Sequence, residues 1–205
     1  MPDAPDQIRD LGREHREACA TLLCDAFESD PLFLAAFGQD RAHKEAFTRM
    51  MFDKQRMGSG TLRGLFRGNA LEGCYLLDSP AGWARTALDT LIAMLAFMPL
   101  IPRIPRRSTV LLNDYMRLTR RALPSDAHYL VMIAVSPRRQ GHGAGRKMLE
   151  EVLQRAAADP RHRSVALDTE NACNIRLYEH FGFRLVEEVT VGPLRAYCMQ
   201  HDSPT

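Results

Sequence analysis

The chain has no pair of cysteines two residues apart, no apolar run long enough to cross a membrane, and no marked excess of charge of either sign. Each absence closes a class of function. Five cysteines (Cys19, Cys24, Cys74, Cys173, Cys198) are an odd number without a CxxC pair, which points away from a disulfide framework and from a zinc ribbon. They read as reduced thiols of a cytoplasmic protein, and no metal is expected. Lys and Arg number 27 against 25 Asp and Glu, a net of +2. Neither nucleic acid nor an anionic membrane is therefore expected as the main partner. The greasiest stretch, Leu91 to Ile101 (LIAMLAFMPLI), is about half the length of a membrane span and contains Pro99. The opening MPDAPDQIRDLG has neither a basic start nor an apolar segment, so no secretory leader is expected. What is present, 205 residues of which 45% are hydrophobic and 25% charged, is the composition of one globular domain over 1–205.

Periodicity gives the order of elements. Residues 7–11 suit a short strand. Ala18, Leu22, Leu23 and Phe27 recur as one face of a helix over Glu14 to Phe27, which Asp30-Pro31 interrupts. A second helix fits Arg41 to Met57. Strands fit Thr61 to Phe66 and Ala70 to Leu77, joined by an Arg67-Gly68-Asn69 turn. Helices are expected at Ala81 to Met98 and Thr109 to Ala122, separated by a stretch rich in proline and arginine. Tyr129 to Val135 (YLVMIAV) is a strand apolar throughout, the pattern of burial on both faces in a parallel centre. An amphipathic helix follows from Gly143 to Ala158. A strand at Ser164 to Asp168, a helix at Ala172 to His180, and strands at Phe183 to Thr190 and Arg195 to Met199 complete the chain. Alternation of this kind predicts an α/β fold, a mixed and centrally parallel sheet flanked by helices.

The chemistry concentrates in SPRRQGHGAGRK, Ser136 to Lys147, between the apolar strand and its helix. Gly141, Gly143 and Gly145 sit where unpaired backbone N–H groups and the positive end of a helix dipole gather, a setting for phosphate. Two familiar phosphate loops fail on spacing. A GxGxxG fingerprint would need glycine at Arg146 or at Met148, and a nucleoside-triphosphate loop would need Gly-Lys-Ser/Thr where Gly145-Arg146-Lys147 stands. Nor is Gly58-Ser59-Gly60 a GxSxG elbow, because Met57 occupies the first glycine position.

Val135-Ser-Pro137 followed by Gln140-Gly-His-Gly143-Ala-Gly145 resembles the acyl-CoA-binding signature of the GCN5-related N-acetyltransferase (GNAT) superfamily. LDTENACNIRLYEHFGF, Leu167 to Phe183, resembles a second motif of that superfamily, a strand end followed by a helix with Asn174, Tyr178, Glu179, Gly182 and Phe183 in pattern. The two cover about 129–199. The resemblance implies an acetyl-CoA-dependent N-acetyltransferase whose fold carries a helical insertion over about 79–127, between the third and fourth strands. It implies that the main chain of Ile133, Ala134 and Val135 pairs with the pantetheine arm. The loop Gln140, Gly141, His142, Gly143, Ala144, Gly145 and Arg146 would hold the pyrophosphate, with Arg138 or Arg139 available to a further phosphate. A side chain at Gly143 or Gly145 would then collide with phosphate or forbid the backbone angle. Asn174 would contact the pantetheine region, and Tyr178 would be the acid that protonates the departing thiolate, its ordinary pKa near 10 suiting that task.

The base is left open among Asp168, Glu170 and His128, which are the candidate acceptor-side residues, and a water relay needs none of them. The expected acceptor is a small-molecule amine, because VGPLRAYCMQ, Val191 to Gln200, resembles the end of puromycin N-acetyltransferase-like members. A protein amine, a catalytically silent acyl-CoA sensor or scaffold, and a membrane-surface role for 83–102 are the alternatives. A homodimer is compatible with the pattern. Trp83, Leu88, Leu91, Ile92, Leu95 and Phe97 need cover, and the insertion is expected to roof the acceptor side, with Asp114 recognising a cationic amine.

Overall fold

A computed structural model describes residues 5–58, 60–80, 91 and 104–202. The expected helix at 81–98, most of its apolar residues and the first part of the proline-arginine stretch, 99–103, lie outside the described residues. The chain builds a seven-stranded sheet from β1 (Asp6–Asp10), β2 (Thr61–Arg67), β3 (Ala70–Asp78), β4 (His128–Val135), β5 (Ser164–Thr169), β6 (Arg184–Val191) and β7 (Leu194–Asp202). Among the described residues the α-helices with both ends described are α1 (Arg16–Ala26), α2 (Pro31–Phe37), α3 (Arg41–Met57), α4 (Arg106–Ala122), α5 (Ala144–Ala158) and α6 (Cys173–His180). Strand order is β1-β2-β3-β4-β5-β7-β6. The parallel centre is one strand pair, β4 with β5, and every other neighbour is antiparallel.

Asp30-Pro31 ends α1 as expected, but it also begins α2, an element the periodicity did not disclose. The Asp30 carboxylate accepts the backbone N–H of Phe33 at 3.0 Å, and Pro31 occupies the first turn, where its missing N–H costs nothing. Asp40 starts α3 in the same way, through His43 N–H at 3.1 Å. Gly68 turns the β2–β3 hairpin at φ +59°, a conformation open to glycine at little cost.

Alternation along β3 sorts two cores onto opposite faces of the sheet. Cys74 and Leu76 join Phe33, Phe47, Met51 and Phe52 beneath α1, α2 and α3. Tyr75 and Leu77 join Met148, Val152, Leu167 and Met199 beneath α5 and α6. Helix α4 packs on the β6–β7 end, with Tyr115 against Val191, Leu194 and Ala196. All five cysteines are free, and only Cys173 is exposed. Among the described residues no helix is long and apolar enough to cross a membrane.

The feature that positions the site is an opening in the middle of the sheet. β4 stays paired with β3 as far as Val135 opposite Gly73. Its pairing with β5 consists of His128 opposite Val165 and Tyr129 opposite Ala166, and it stops there. β5 instead continues alongside β7 to Thr169. The strand read as buried on both faces is therefore only half-buried at Val131, Met132 and Ile133, because these residues border the gap.

Candidate functional site

The gap opens into a cavity holding about 1030 Å³ of empty space, counting its open mouth. One wall is β4 from Tyr129 to Ile133, and the other is β5 from Leu167 to Glu170 with Asn174 and Tyr178 of α6. Helix α4 contributes Leu112, Tyr115, Met116 and Arg120, and the α1–α3 region adds Asp30, Phe27, Phe33 and Lys54.

At the open end of β4 the chain turns through Pro137–Arg139 into the glycine loop. Gly141 and Gly143 adopt φ +76° and +79°, and Gly143 is the residue that opens α5. No side chain caps this helix, and its first turn holds no acidic residue. Its N-terminal amides and the positive end of its dipole thus carry no opposing charge from the helix's own first turn. His142 is exposed, its Nδ1 2.8 Å from the Gln140 carbonyl, and Gln140 Nε2 donates to the Val135 carbonyl at 3.3 Å. One of the main-chain acceptors expected to serve a ligand is thus engaged within the loop. Ala134, at 3% exposure, lies in the core beneath α1–α3. Arg139 is not a free surface arginine. It pairs with Asp6 of β1 at 3.2 Å, and Asp6 also receives Arg67 at 3.1 Å, while Lys147 Nζ donates to the Asp6 carbonyl at 2.5 Å. Of the two arginines before the loop, Arg138 is the exposed one.

Across the cavity, three carboxyl groups converge. Tyr115 donates its hydroxyl to Asp168 Oδ2. Burial pushes Asp168 up to about 6, against a lowering by the Tyr115 hydrogen bond. Burial, with the charge of Asp30 beside it, pushes Glu170 up to about 7, and Tyr115 again opposes the rise. Burial also raises Asp30, although the N–H of Phe33 holds it down in part. Tyr178, 8% exposed, is pushed up to about 12 by burial and then by the charges of Asp168 and Glu170. The expectation of an ordinary tyrosine pKa there does not hold, because burial and then the two neighbouring carboxylates disfavour the phenolate. Asn174 Nδ2 donates to Thr169 Oγ1 at 3.1 Å, tying α6 to the end of β5. Just before α6, Asn171 Oδ1 accepts the N–H of Cys173 at 3.0 Å in a turn that leads into the helix.

Two expectations are corrected. His128 does not face the cavity. It opens β4 at the closed end of the strand pair, 5% exposed, with Asp159 at 3.4 Å and burial lowering its pKa. It is a structural residue, because β4 runs from there toward the loop and the gap begins only beyond Tyr129. Asp114 is half-exposed and paired with Arg117 at 3.2 Å. Its neighbour Tyr115 is the α4 residue that enters the site. Sequence reasoning missed Tyr115 and Asp30. Tyr115 lies one helix position from the residue chosen, and Asp30 was visible only as a break before proline.

A profile of the acetyltransferase (GNAT) family matches residues 69–183. The chain is 25% identical over 188 residues to an uncharacterized N-acetyltransferase of Schizosaccharomyces pombe, covering 83% of this chain and 71% of that protein. In three dimensions it is similar to a Corynebacterium glutamicum protein described as histone acetyltransferase HPA2 and related acetyltransferase, with TM-score 0.71, 18% identity, and 98% and 97% of the two chains covered. It is also similar to PaiA N-acetyltransferase from Thermoplasma acidophilum in complex with coenzyme A, with TM-score 0.56, 12% identity, and 97% and 99% covered. These structural likenesses bear on the fold.

Proposed function

The chain belongs to the acetyltransferase (GNAT) family, and from that premise we propose that it moves the acetyl group of acetyl-CoA to a primary amine of a small molecule, by direct attack in a ternary complex. The observation that carries this reading is the opening between β4 and β5. It has an uncapped helix N-terminus at one end and half-buried carboxyl groups with Tyr178 at the other.

The residues present suit the donor. Backbone groups of β4 beyond Tyr129 have no partner strand on the β5 side, so an extended arm with amide groups can pair with Val131, Met132 and Ile133. In this reading the amides of Gly143, Ala144, Gly145 and Arg146 hold the diphosphate, which the uncapped start of α5 supports. The thioester end then lies beside Asn174 and Tyr178, both of which line the cavity.

An alkylammonium with pKa near 10.4 is neutral in less than about one part in a thousand at pH 7, so a base has to be at hand. Glu170, at about 7, is ionised in a large fraction of molecules at neutral pH and still basic enough to accept a proton. Asp168 is the less basic of the pair and stays charged beside Tyr115. Proton uptake by Glu170 removes one of the charges that hold Tyr178 up. Tyr178 thus becomes more acidic once the amine has lost its proton, which is when the thiolate must be protonated.

Free-thiol release from acetyl-CoA with a panel of small amines tests the proposal. Amine-dependent turnover is expected. Donor binding without turnover for any amine would instead mark a silent acyl-CoA-binding module.

Two further outcomes are expected. Gly143→Val should weaken acetyl-CoA binding by an order of magnitude or more, because a β-branched residue is strained at φ +79° where the helix amides are aimed. At Gly145 the backbone is ordinary and an added Cβ lies 3.6 Å from Val135 Cγ2. Gly145→Ala should accordingly keep the melting temperature, so that any lost affinity there reports contact with the donor alone. Calorimetric affinity unchanged in a folded Gly143→Val protein would remove the loop from donor binding. Tyr115→Phe removes a hydrogen bond that lowers both Asp168 and Glu170. The acidic limb of the rate profile should move to higher pH by about one unit. A limb that stays in place would mean that neither carboxyl limits the rate.

A further inference from the structure

The reacting nitrogen has to be neutral when it attacks, since an ammonium has no lone pair. It cannot be the cation that balances the carboxyl groups of this cavity. Asp30, Asp168 and Glu170 all line it, against Lys54 and Arg120. Both cations are paired with Asp78, at 3.7 and 2.7 Å, and Arg120, which also lies 3.4 Å from the centre of the Tyr129 ring, is the one whose charge reaches Asp168. Lys44, the remaining cation near Asp30, is buried and donates to the Glu28 carbonyl at 3.2 Å. Tyr115 and Tyr178, the other titratable groups on the wall, are neutral. Asp168 Oδ1 is shielded from solvent and has no hydrogen-bond partner among the described residues, although its other oxygen takes the Tyr115 hydroxyl. An acceptor atom buried without a donor is costly unless a ligand supplies one. Phe27, Phe33, Leu112 and Met116 give the cavity an apolar wall as well.

We propose that the acceptor is an aliphatic diamine or longer polyamine, its reacting nitrogen beside Glu170, its methylene chain along the apolar wall, and a second ammonium held by Asp168 and Asp30. This rests on reading the cavity as the acceptor side of an acetyltransferase. It adds a requirement that reading lacks, a positive charge separate from the nucleophile. Because Asp168, one of the two holders, titrates at about 6 and Glu170 across the cavity at about 7, the negative charge facing a dication grows from pH 5 to pH 8.

The test uses the full chain with coenzyme A and compares by calorimetry 1,4-diaminobutane, butylamine and 4-amino-1-butanol. The diamine should bind about tenfold more tightly than either analogue, with the difference widening from pH 5 to pH 8. Equal affinities, or no detectable binding of the diamine, overturn the proposal. Asp30→Asn keeps an oxygen that can cap α2 and removes only the charge, so it should erase much of the diamine's advantage. Full retention of the advantage in both Asp30→Asn and Asp168→Asn overturns the assignment of the second ammonium to these carboxyls. Selective diamine binding with no acetyl transfer would sink the enzyme reading and leave this inference standing. Transfer to monoamines and diamines at equal kcat/KM would do the reverse.

Discussion

Glu170→Gln is expected to lower kcat by about a hundredfold or more, the usual contribution of a positioned base, while leaving acetyl-CoA affinity unchanged. Glutamine keeps the length and an acceptor oxygen but takes no proton at neutral pH. The wild-type rate should rise through a limb near pH 7, where burial and the Asp30 charge have placed Glu170. In the variant that limb should vanish, and the residual rate should track the small neutral fraction of the amine. A variant with wild-type kcat and an unmoved limb would hand the proton to water. Because Asp168 stands beside Glu170 and also carries a raised pKa, the double variant is the control for substitution of one carboxyl by the other.

Tyr178→Phe should cost a comparable factor in kcat with no loss of donor affinity. The phenyl ring retains the packing against Phe183, whose ring centre lies 5.6 Å away, and only the hydroxyl is lost. Donors whose thiol is more acidic should suffer less, because a better leaving group needs less help from an acid. Wild-type turnover at every pH would leave solvent as the acid.

Both residues were legible in the sequence for the same reason, since the end of β5 and the face of α6 are contiguous in the chain. Asn174 and Tyr178 lie four residues apart on one helix face, and the glycine loop is twelve residues of continuous pattern. What the sequence hid arises from convergence. Tyr115 meets Asp168 across 53 residues, and nothing in either neighbourhood signals the other. Asp30-Pro31 reads equally as the end of one helix and the start of the next, so α2 and its cavity carboxylate stayed hidden. His128 misled because proximity along the chain to an apolar strand says nothing about which end of that strand opens. The splay of β4 from β5 was implied by the family resemblance alone, for YLVMIAV by itself has the composition of a fully covered strand.

The most direct test of the central claim is rapid-quench mass spectrometry of the wild-type chain mixed with acetyl-CoA and a diamine, following amine and protein together. Direct transfer predicts acetylated amine in the first turnover, one for each coenzyme A released, with no acetyl group on the protein when the amine is withheld. Coenzyme A released without acetylated amine, or an acetyl-protein that forms first and then decays into product, would contradict it.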